Sequence, residues 1–250
     1  MLRKLSSFFE TLGDFSAFAV RATWKGIRHP IKAVELLEQF YFIGWQTLPV
    51  VLFAGLFAGL SQTLFLEAEL DSYGAKTTIG RVLAVTAIRE LGPLVVSLMF
   101  IGRVGASFAA EIGSMKVNNQ VEAIQALGQD PERKLASPRI WGMTLVALPV
   151  VLLTDLSIMI GGWIISTVDN RIFWYESGMA VYFRHVSSTL VKPFVFGWMI
   201  SVIATWYGLR TEGGVRGVGR SVASTVVTGC IWLFIMNALV GVVMLAWTGI

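Results

Sequence analysis

The sequence predicts an all-α, polytopic membrane protein, and three observations support this prediction. Hydrophobic residues make up 55% of the chain and charged residues only 14%, a balance that is not typical of soluble domains. Five apolar segments have about the 20 residues that a helix needs to cross a bilayer. Basic residues cluster in alternating flanks of these segments, as they do in helical membrane proteins.

The N-terminal region, residues 1–45, precedes the first apolar segment. Over residues 5–20 its apolar side chains recur at spacings of three and four, which is typical of an amphipathic helix: Leu5, Phe8, Phe9, Leu12, Phe15 and Ala19. The stripe is too short, and its opposite face too charged, to span a membrane. It indicates a helix that lies in the membrane interface or one that packs on the protein's own core, and the two are compatible.

The five predicted spans lie in residues 46–250, which we interpret as the transmembrane domain. They cover residues 47–66, 82–110, 140–168, 193–209 and 221–247. Lys and Arg concentrate before the first span, between the second and third, and between the fourth and fifth. Because basic flanks stay on the cytoplasmic side, we expect a cytoplasmic N-terminus and an external C-terminus.

The second span contains a charged pair, Arg89 and Glu90. Charges inside a transmembrane helix are costly and usually functional. The Arg89 guanidinium is suited to gripping a phosphate group. An Arg–Glu pair satisfied within the helix bundle is the competing interpretation, and the sequence leaves both open.

Small residues follow at helical spacing in the same span. Gly102, Ala106 and Ala110 are spaced by four and form one row along the helix. A second row with the same spacing starts three residues later: Gly105, Ala109 and Gly113. Such rows let another helix approach closely. Ordinary packing within the chain accounts for part of this pattern.

Residues 114–127 are predicted to form a short amphipathic helix on the cytoplasmic side. Val117, Val121, Ile124 and Leu127 share its apolar face, and Ser114 is a plausible N-cap. A helix of this kind docks a soluble partner or lies in the interface, and the sequence leaves both possibilities open.

Two further features bear on the type of chemistry. Asp155 is a lone carboxyl group in the third span. It either relays protons or pairs with a basic side chain, and we expect pairing. The glycine-rich stretch 213–220 lacks the Gly-Lys-Ser/Thr sequence of a nucleotide loop. With no recognisable ATP site, catalytic triad or metal cluster, the chain is not expected to be an enzyme.

Several motifs together resemble those of one family. They are residues 89–93 (RELGP), 102–107 (GRVGAS), 110–115 (AEIGSM), 126–131 (ALGQDP) and 137–139 (SPR). They closely resemble the MlaE/YrbE family of ABC-transporter permeases, and the similarity extends from about residue 40 to the C-terminus.

The resemblance implies a fold of five spans preceded by an elbow helix on the membrane surface. It also implies a homodimer in the bacterial inner membrane that moves phospholipids or related lipids between the inner and outer membranes. The implied partners are a cytoplasmic ABC ATPase, a periplasmic MCE-domain hexamer and often a STAS-domain protein. No cofactor is expected in this chain, because the ATPase uses the ATP and Mg²⁺, and no nucleic acid is expected as a partner.

The resemblance also implies roles for individual residues. Arg89, Glu90 and Tyr73 match positions near the lipid pocket. The resemblance assigns ATPase coupling to a segment that contributes Glu111, Met115, Val117, Val121, Ile124 and Leu127. Helix packing, by contrast, is assigned from the spacing of the small residues, to Gly102, Gly105, Ala106 and Ala109. Glu67 and Glu69 depart from the expected pattern, because negative charge near the outer mouth disfavours an anionic headgroup.

Three other functions compete with lipid export or import by an ABC system. A proton-coupled secondary transporter would use Glu90 or Asp155 and would work from a pH gradient without ATP, although the absence of an internal repeat counts against it. A lipid-modifying enzyme needs clustered catalytic groups that this sequence does not offer. A scaffold without transport does not explain the intramembrane charges.

Overall fold

The computed structural model describes the backbone of residues 2–28, 31–180 and 183–248, and the side chains of residues 9–28, 31–180 and 190–246. Within these ranges the secondary structure is helical. The α-helices are α1 (Leu2–Arg28), α2 (Ala33–Phe40), α3 (Leu48–Ser72), α4 (Ile79–Thr86), α5 (Gly92–Met99), α6 (Ala106–Val117), α7 (Gln120–Ala126), α8 (Ser137–Ile165), α9 (Asn170–Ala180), α10 (Phe183–Leu209) and α11 (Gly214–Thr248).

Five helical stretches in the described part of the chain are long and apolar enough to cross a membrane. These spans 1 to 5 are Ala33–Ser72, Lys76–Val117, Glu132–Ile165, Leu190–Leu209 and Gly214–Ala246. They confirm the predicted number and order. Most of them extend beyond the predicted bounds because helical hydrogen bonding continues into the polar flanks, which an apolar-length criterion leaves out.

The chain divides into two compact units. Unit 1 comprises Met1–Ile43, Ile101–Thr144 and Trp198–Cys230, and unit 2 comprises Gly44–Phe100, Leu145–Gly197 and Ile231–Ile250. Each of the five spans therefore has one end in unit 1 and the other in unit 2, and the order of the two ends alternates along the chain.

In unit 1, α1 packs on the protein's own core. Its Phe18, Ala19 and Ala22 form a cluster with residues of α8 and α10, including Ile140 and Trp206. The packing interpretation of the N-terminal helix is therefore confirmed. Its location in the membrane interface stays a prediction. An exposed apolar row on α1 favours this location, and it consists of Val20, Trp24 and Ile27.

In unit 2, α3 and α8 touch backbone to backbone. A Cβ atom added to Gly59 would collide with the carbonyl of Ile158, and one added to Gly161 would collide with the carbonyl of Leu56. Gly55 and Gly59 form a small-xxx-small pair on α3, the pattern that allows such an approach. This pair is visible in the sequence, although the predicted close-packing residues all lie in span 2.

Candidate functional site

Span 2 begins with a 3-10 turn, Lys76–Thr78, and contains two π-helical turns further along. Ala87–Leu91 and Phe100–Gly105 are π-helical turns. Such turns are rare and frequently occur at functional sites. The first contains the charged pair Arg89 and Glu90, and the second contains the start of the GRVGAS motif, so the irregular backbone coincides with the segments that the sequence marks.

The first π-turn receives a hydrogen bond from a lysine of span 4. Pro93 has no N–H with which to satisfy the carbonyl of Arg89 four residues earlier. The Nζ atom of Lys192 donates to that carbonyl oxygen at 2.7 Å. Only 1% of the Lys192 side chain is exposed, so its ammonium group is committed to partners within unit 2.

The second partner of Lys192 is Glu90. The Lys192 Nζ atom lies 2.7 Å from Glu90 Oε1, and Asn237 Nδ2 donates to Glu90 Oε2 at 3.0 Å. These contacts connect spans 2, 4 and 5 through a three-residue cluster, Glu90–Lys192–Asn237. Lys192 immediately precedes the predicted span 193–209, yet the structure buries it because Glu90 and the Arg89 carbonyl compensate its charge.

The two other residues assigned to the lipid pocket, Arg89 and Tyr73, have no hydrogen-bond partner for their side-chain polar groups among the residues that the structure describes. The Arg89 side chain is half-buried, and no side-chain partner for it occurs among the described residues. Since Glu90 binds Lys192, an Arg89–Glu90 pair is not formed. Tyr73 follows the end of α3, and 78% of it is exposed. Arg89 and Tyr73 therefore remain available to a ligand.

Asp155 on α8 is buried without a counter-ion. It is 6% exposed, and neither carboxylate oxygen has a hydrogen-bond partner within the described ranges. The expectation that it pairs with a basic side chain is therefore wrong. Lys192, a buried cation of the same unit, is engaged by Glu90 instead. Gly92 of the RELGP motif lies directly against Asp155, and a Cβ atom built there would collide with Asp155 Oδ1.

The contact between Gly92 and Asp155 predicts a size-swap effect. Gly92→Ala is expected to lower the free energy of unfolding by about 1–2 kcal/mol, because the added methyl group overpacks this contact. Asp155→Ala removes the obstructing carboxyl group, so the same glycine substitution is expected to be close to neutral in that background. Thermal unfolding in detergent of the wild type, the two single variants and the double variant measures this dependence. An equal loss of unfolding free energy from Gly92→Ala with and without Asp155→Ala would contradict the predicted contact.

The segment assigned to ATPase coupling lies in unit 1 and contains a break. Helix α6 ends at Val117, and α7 begins at Gln120. Between them, Asn119 has a φ of 57°, a left-handed conformation that Asn tolerates better than most residues. The predicted continuous helix 114–127, capped by Ser114, is therefore wrong, because this turn starts a separate helix.

The predicted coupling residues differ in exposure. Val121 is 3% exposed and packs inside unit 1, whereas Leu127 is 77% exposed. Met115, Val117 and Ile124 are half-buried. A partner that docks on this segment thus meets Leu127 rather than Val121.

Two ion pairs brace the coupling segment. Arg139, which is buried, binds Glu111 Oε2 at 2.9 Å and donates to the Leu135 carbonyl at 2.8 Å. This contact joins the AEIGSM and SPR motifs, which are far apart in sequence. Lys116 on α6 pairs with Glu122 on α7, and its hydrogen bond lowers the pKa of the Glu122 carboxyl group. The first pair joins α6 to α8, and the second joins α6 to α7, all within unit 1.

The two small-residue rows have different surroundings. Gly105, Ala109 and Gly113 are buried, and a Cβ atom on Gly113 would lie 2.7 Å from Thr211 Oγ1. On the other row, Gly102 is exposed and a Cβ atom there meets nothing within 4 Å, while Ala106 is half-buried. One row thus packs within the chain, and the other is open to a further helix.

Comparison with known proteins places these features in a family. Residues 36–243 match the family Permease MlaE. The chain belongs to the MlaE permease family. The match covers the RELGP and GRVGAS segments with both π-turns, the coupling segment, and all three members of the Glu90–Lys192–Asn237 cluster.

Relatives of this MlaE-family chain are named as ABC transporter permeases. It is 34% identical over 95% of its length to a probable ABC transporter permease protein of Rickettsia felis, of which 93% is covered. It is 37% identical over 85% of its length to a probable ABC transporter permease of Synechocystis sp., of which 82% is covered. A Haemophilus influenzae relative, named intermembrane phospholipid transport system permease protein MlaE, is 29% identical over 90% of this chain and 88% of its own length.

Proposed function

We propose that this chain is the membrane-spanning subunit of an ABC system that moves phospholipids or related lipids between the inner and outer membranes. The observation on which the proposal depends is the MlaE family match over residues 36–243. The name of the Haemophilus relative supports phospholipid as the cargo. In this proposal the chain binds no cofactor, and a separate ATPase chain binds ATP and Mg²⁺.

The Arg89 guanidinium supports a lipid-binding role. It lies in a π-turn of span 2 with no side-chain partner in the described part of the chain, and guanidinium groups bind phosphate in bidentate fashion. Glu90 acts indirectly, because its carboxylate is held by Lys192 and Asn237. We assign Arg89 to the lipid headgroup, Tyr73 to the outer rim of the pocket, and Glu90 to positioning the Arg89 turn.

The charge distribution supports the proposed orientation in the bacterial inner membrane. Unit 2 contains six of the 20 Lys and Arg residues, namely Lys76, Arg81, Arg89, Arg171, Arg184 and Lys192, and unit 1 contains the others. Because positively charged flanks remain cytoplasmic, the N-terminus and the coupling segment of unit 1 face the cytoplasm. The C-terminus then faces the periplasm.

Exposed features of the chain support two of the proposed partners, the ATPase and a second copy of the chain. Leu127 and the end of α7 face a cytoplasmic ATPase. The open row with Gly102 and Ala106 is suited to a helix of a second copy, which supports a homodimer. A periplasmic MCE-domain hexamer, and in some systems a STAS-domain protein bound to the ATPase, complete the proposed assembly.

Arg89→Ala is the variant that tests the lipid-binding assignment. In proteoliposomes containing the whole complex, it is expected to slow ATP-dependent transfer of a fluorescent phospholipid by roughly ten- to a hundredfold, since a hydrogen bond to a charged group contributes about 1.5–3 kcal/mol. Arg89→Lys keeps the charge and is expected to retain part of the activity.

Arg171→Ala is the matched control, because Arg171 is an exposed arginine of the same unit. It is expected to transfer lipid at the wild-type rate. Copurification of all subunits checks that each variant assembles. Wild-type transfer by an assembled Arg89→Ala complex would show that Arg89 does not bind the headgroup.

A proton-coupled secondary transporter remains the alternative, and the unpaired Asp155 carboxyl group favours it. This function predicts lipid movement when a pH gradient is imposed without ATP, and loss of that movement in Asp155→Asn. The ABC system predicts no movement under the same conditions and full dependence on ATP.

A further inference from the structure

Unit 1 contains a polar cleft that none of the features above uses. Its volume is about 440 Å³. It lies between the start of α2 and the turn that follows α7. Its charged lining residues are Lys32, Glu35, Asp130, Arg133 and Lys134.

The cleft lies where two spans begin. Lys32 immediately precedes span 1, which starts at Ala33, and Arg133 is in the first turn of span 3, which starts at Glu132. Both positions belong to unit 1. Basic pockets at the cytoplasmic ends of transmembrane helices are typical binding sites for acidic lipid headgroups.

The acidic side chains of the cleft are already neutralised. Lys134 Nζ lies 2.7 Å from Glu35 Oε1, and Asp130 pairs with Lys25. Asp130 Oδ1 also accepts a hydrogen bond from the backbone N–H of Glu132 at 3.0 Å, which fixes the wall of the cleft. Partial burial opposes the charge of Lys25, but hydrogen bonds to Asp130 and Glu132 outweigh it and raise the pKa of Lys25.

Two cations in the cleft remain uncompensated. Lys32 and Arg133 are exposed, and neither has a side-chain partner in the ranges that the structure describes. Their positive charge matches a phosphate group, for which Arg is the preferred bidentate ligand and Lys a mobile point charge.

The exposed apolar side chains of the helical stretch that begins with α2 do not border the cleft. Val34, Leu37 and Tyr41 are spaced by three and four, so they share one face, and all three are exposed. Lys32 and Glu35, which line the cleft, lie on the other side of the same helix, since residues two positions apart do not share a face. The cleft therefore offers its contacts to a charged headgroup.

We propose that this cleft binds the headgroup of an anionic phospholipid of the cytoplasmic leaflet, with its phosphate at Lys32 and Arg133. The site goes beyond lipid transport, because none of the residues assigned to the lipid pocket or to ATPase coupling lines it. Its occupant is a resident membrane lipid rather than the transported one.

Native mass spectrometry of the complex purified with its partner chains tests this site. Phosphatidylglycerol is titrated against zwitterionic phosphatidylcholine. The double variant Lys32→Gln/Arg133→Gln is expected to bind phosphatidylglycerol about tenfold more weakly, since each basic residue near an anionic lipid contributes on the order of a few-fold in affinity. Binding of phosphatidylcholine is expected to stay unchanged.

The matched control is Arg216→Gln/Arg220→Gln, which removes the same charge from exposed residues of unit 1 outside the cleft. Wild-type phosphatidylglycerol binding by this control supports the site. An equal loss in both double variants would show that net charge alone attracts the lipid, and the proposal would fail.

Two further readouts separate the remaining outcomes. The single variants Lys32→Gln and Arg133→Gln are each expected to weaken binding, so the test does not depend on the double variant folding. Millimolar inorganic phosphate is expected to leave the bound lipid in place. Displacement by phosphate would mean that the cleft recognises free phosphate, and the lipid assignment would be wrong.

Discussion

Lys192→Met is expected to lower the free energy of unfolding by about 3 kcal/mol, because breaking a buried ion pair leaves its partner charge uncompensated. The substitution keeps an unbranched apolar side chain of similar length but removes the ammonium group. Glu90 then retains only Asn237, and the Arg89 carbonyl loses its donor at the point where Pro93 offers none.

Thermal unfolding in detergent measures this effect. A loss of about 3 kcal/mol corresponds to a fall in Tm of roughly 6–12 °C for a chain of this size. Lys76→Met is the matched control, because Lys76 lies 3.9 Å from Asp71 in an exposed pair of the same unit. Exposed pairs contribute about 1 kcal/mol or less, so its Tm is expected to stay within a few degrees of wild type.

Adding Glu90→Gln to Lys192→Met is expected to restore part of the stability. The double variant no longer has an uncompensated carboxylate, although the Arg89 carbonyl still lacks its donor. A double variant no more stable than Lys192→Met alone would contradict the ion pair as the source of the effect.

Much of the fold could be predicted because its signals are local. The length of each apolar segment is enough to count five spans, and the RELGP and GRVGAS motifs are contiguous. The same local reasoning gave the wrong helix in the coupling segment. The Asn118–Asn119 pair was visible, but whether an Asn adopts the left-handed conformation depends on how the helices on both sides pack.

The polar contacts could not be predicted because they depend on distant residues. Lys192 and Glu90 are 102 positions apart, and sequence spacing does not show that a lysine at the edge of span 4 turns inward to a π-turn of span 2. For the same reason Asp155 was wrongly expected to have a basic partner. The close contact of α3 with α8 could have been predicted, because Gly55 and Gly59 are spaced by four on one helix.

Leu127→Asp is expected to weaken association with the ATPase by about 30-fold, equivalent to about 2 kcal/mol, which is typical of an apolar anchor at an interface. Leu127 is the most exposed of the predicted coupling residues, at 77%. An exposed aspartate there disturbs no packing within unit 1, so the Tm of the permease is expected to stay unchanged. Copurification of the ATPase with a tagged permease measures the loss.

Val121→Asp is the informative comparison, because the two substitutions introduce the same charge six residues apart. Val121 is 3% exposed, and a carboxylate buried without a partner costs several kcal/mol. This variant is therefore expected to lower the Tm of the permease. It is expected to lose the ATPase only because the permease itself is destabilised. If Leu127→Asp retained the ATPase at wild-type yield while Val121→Asp lost it with an unchanged Tm, the docking surface would be the opposite face of α7.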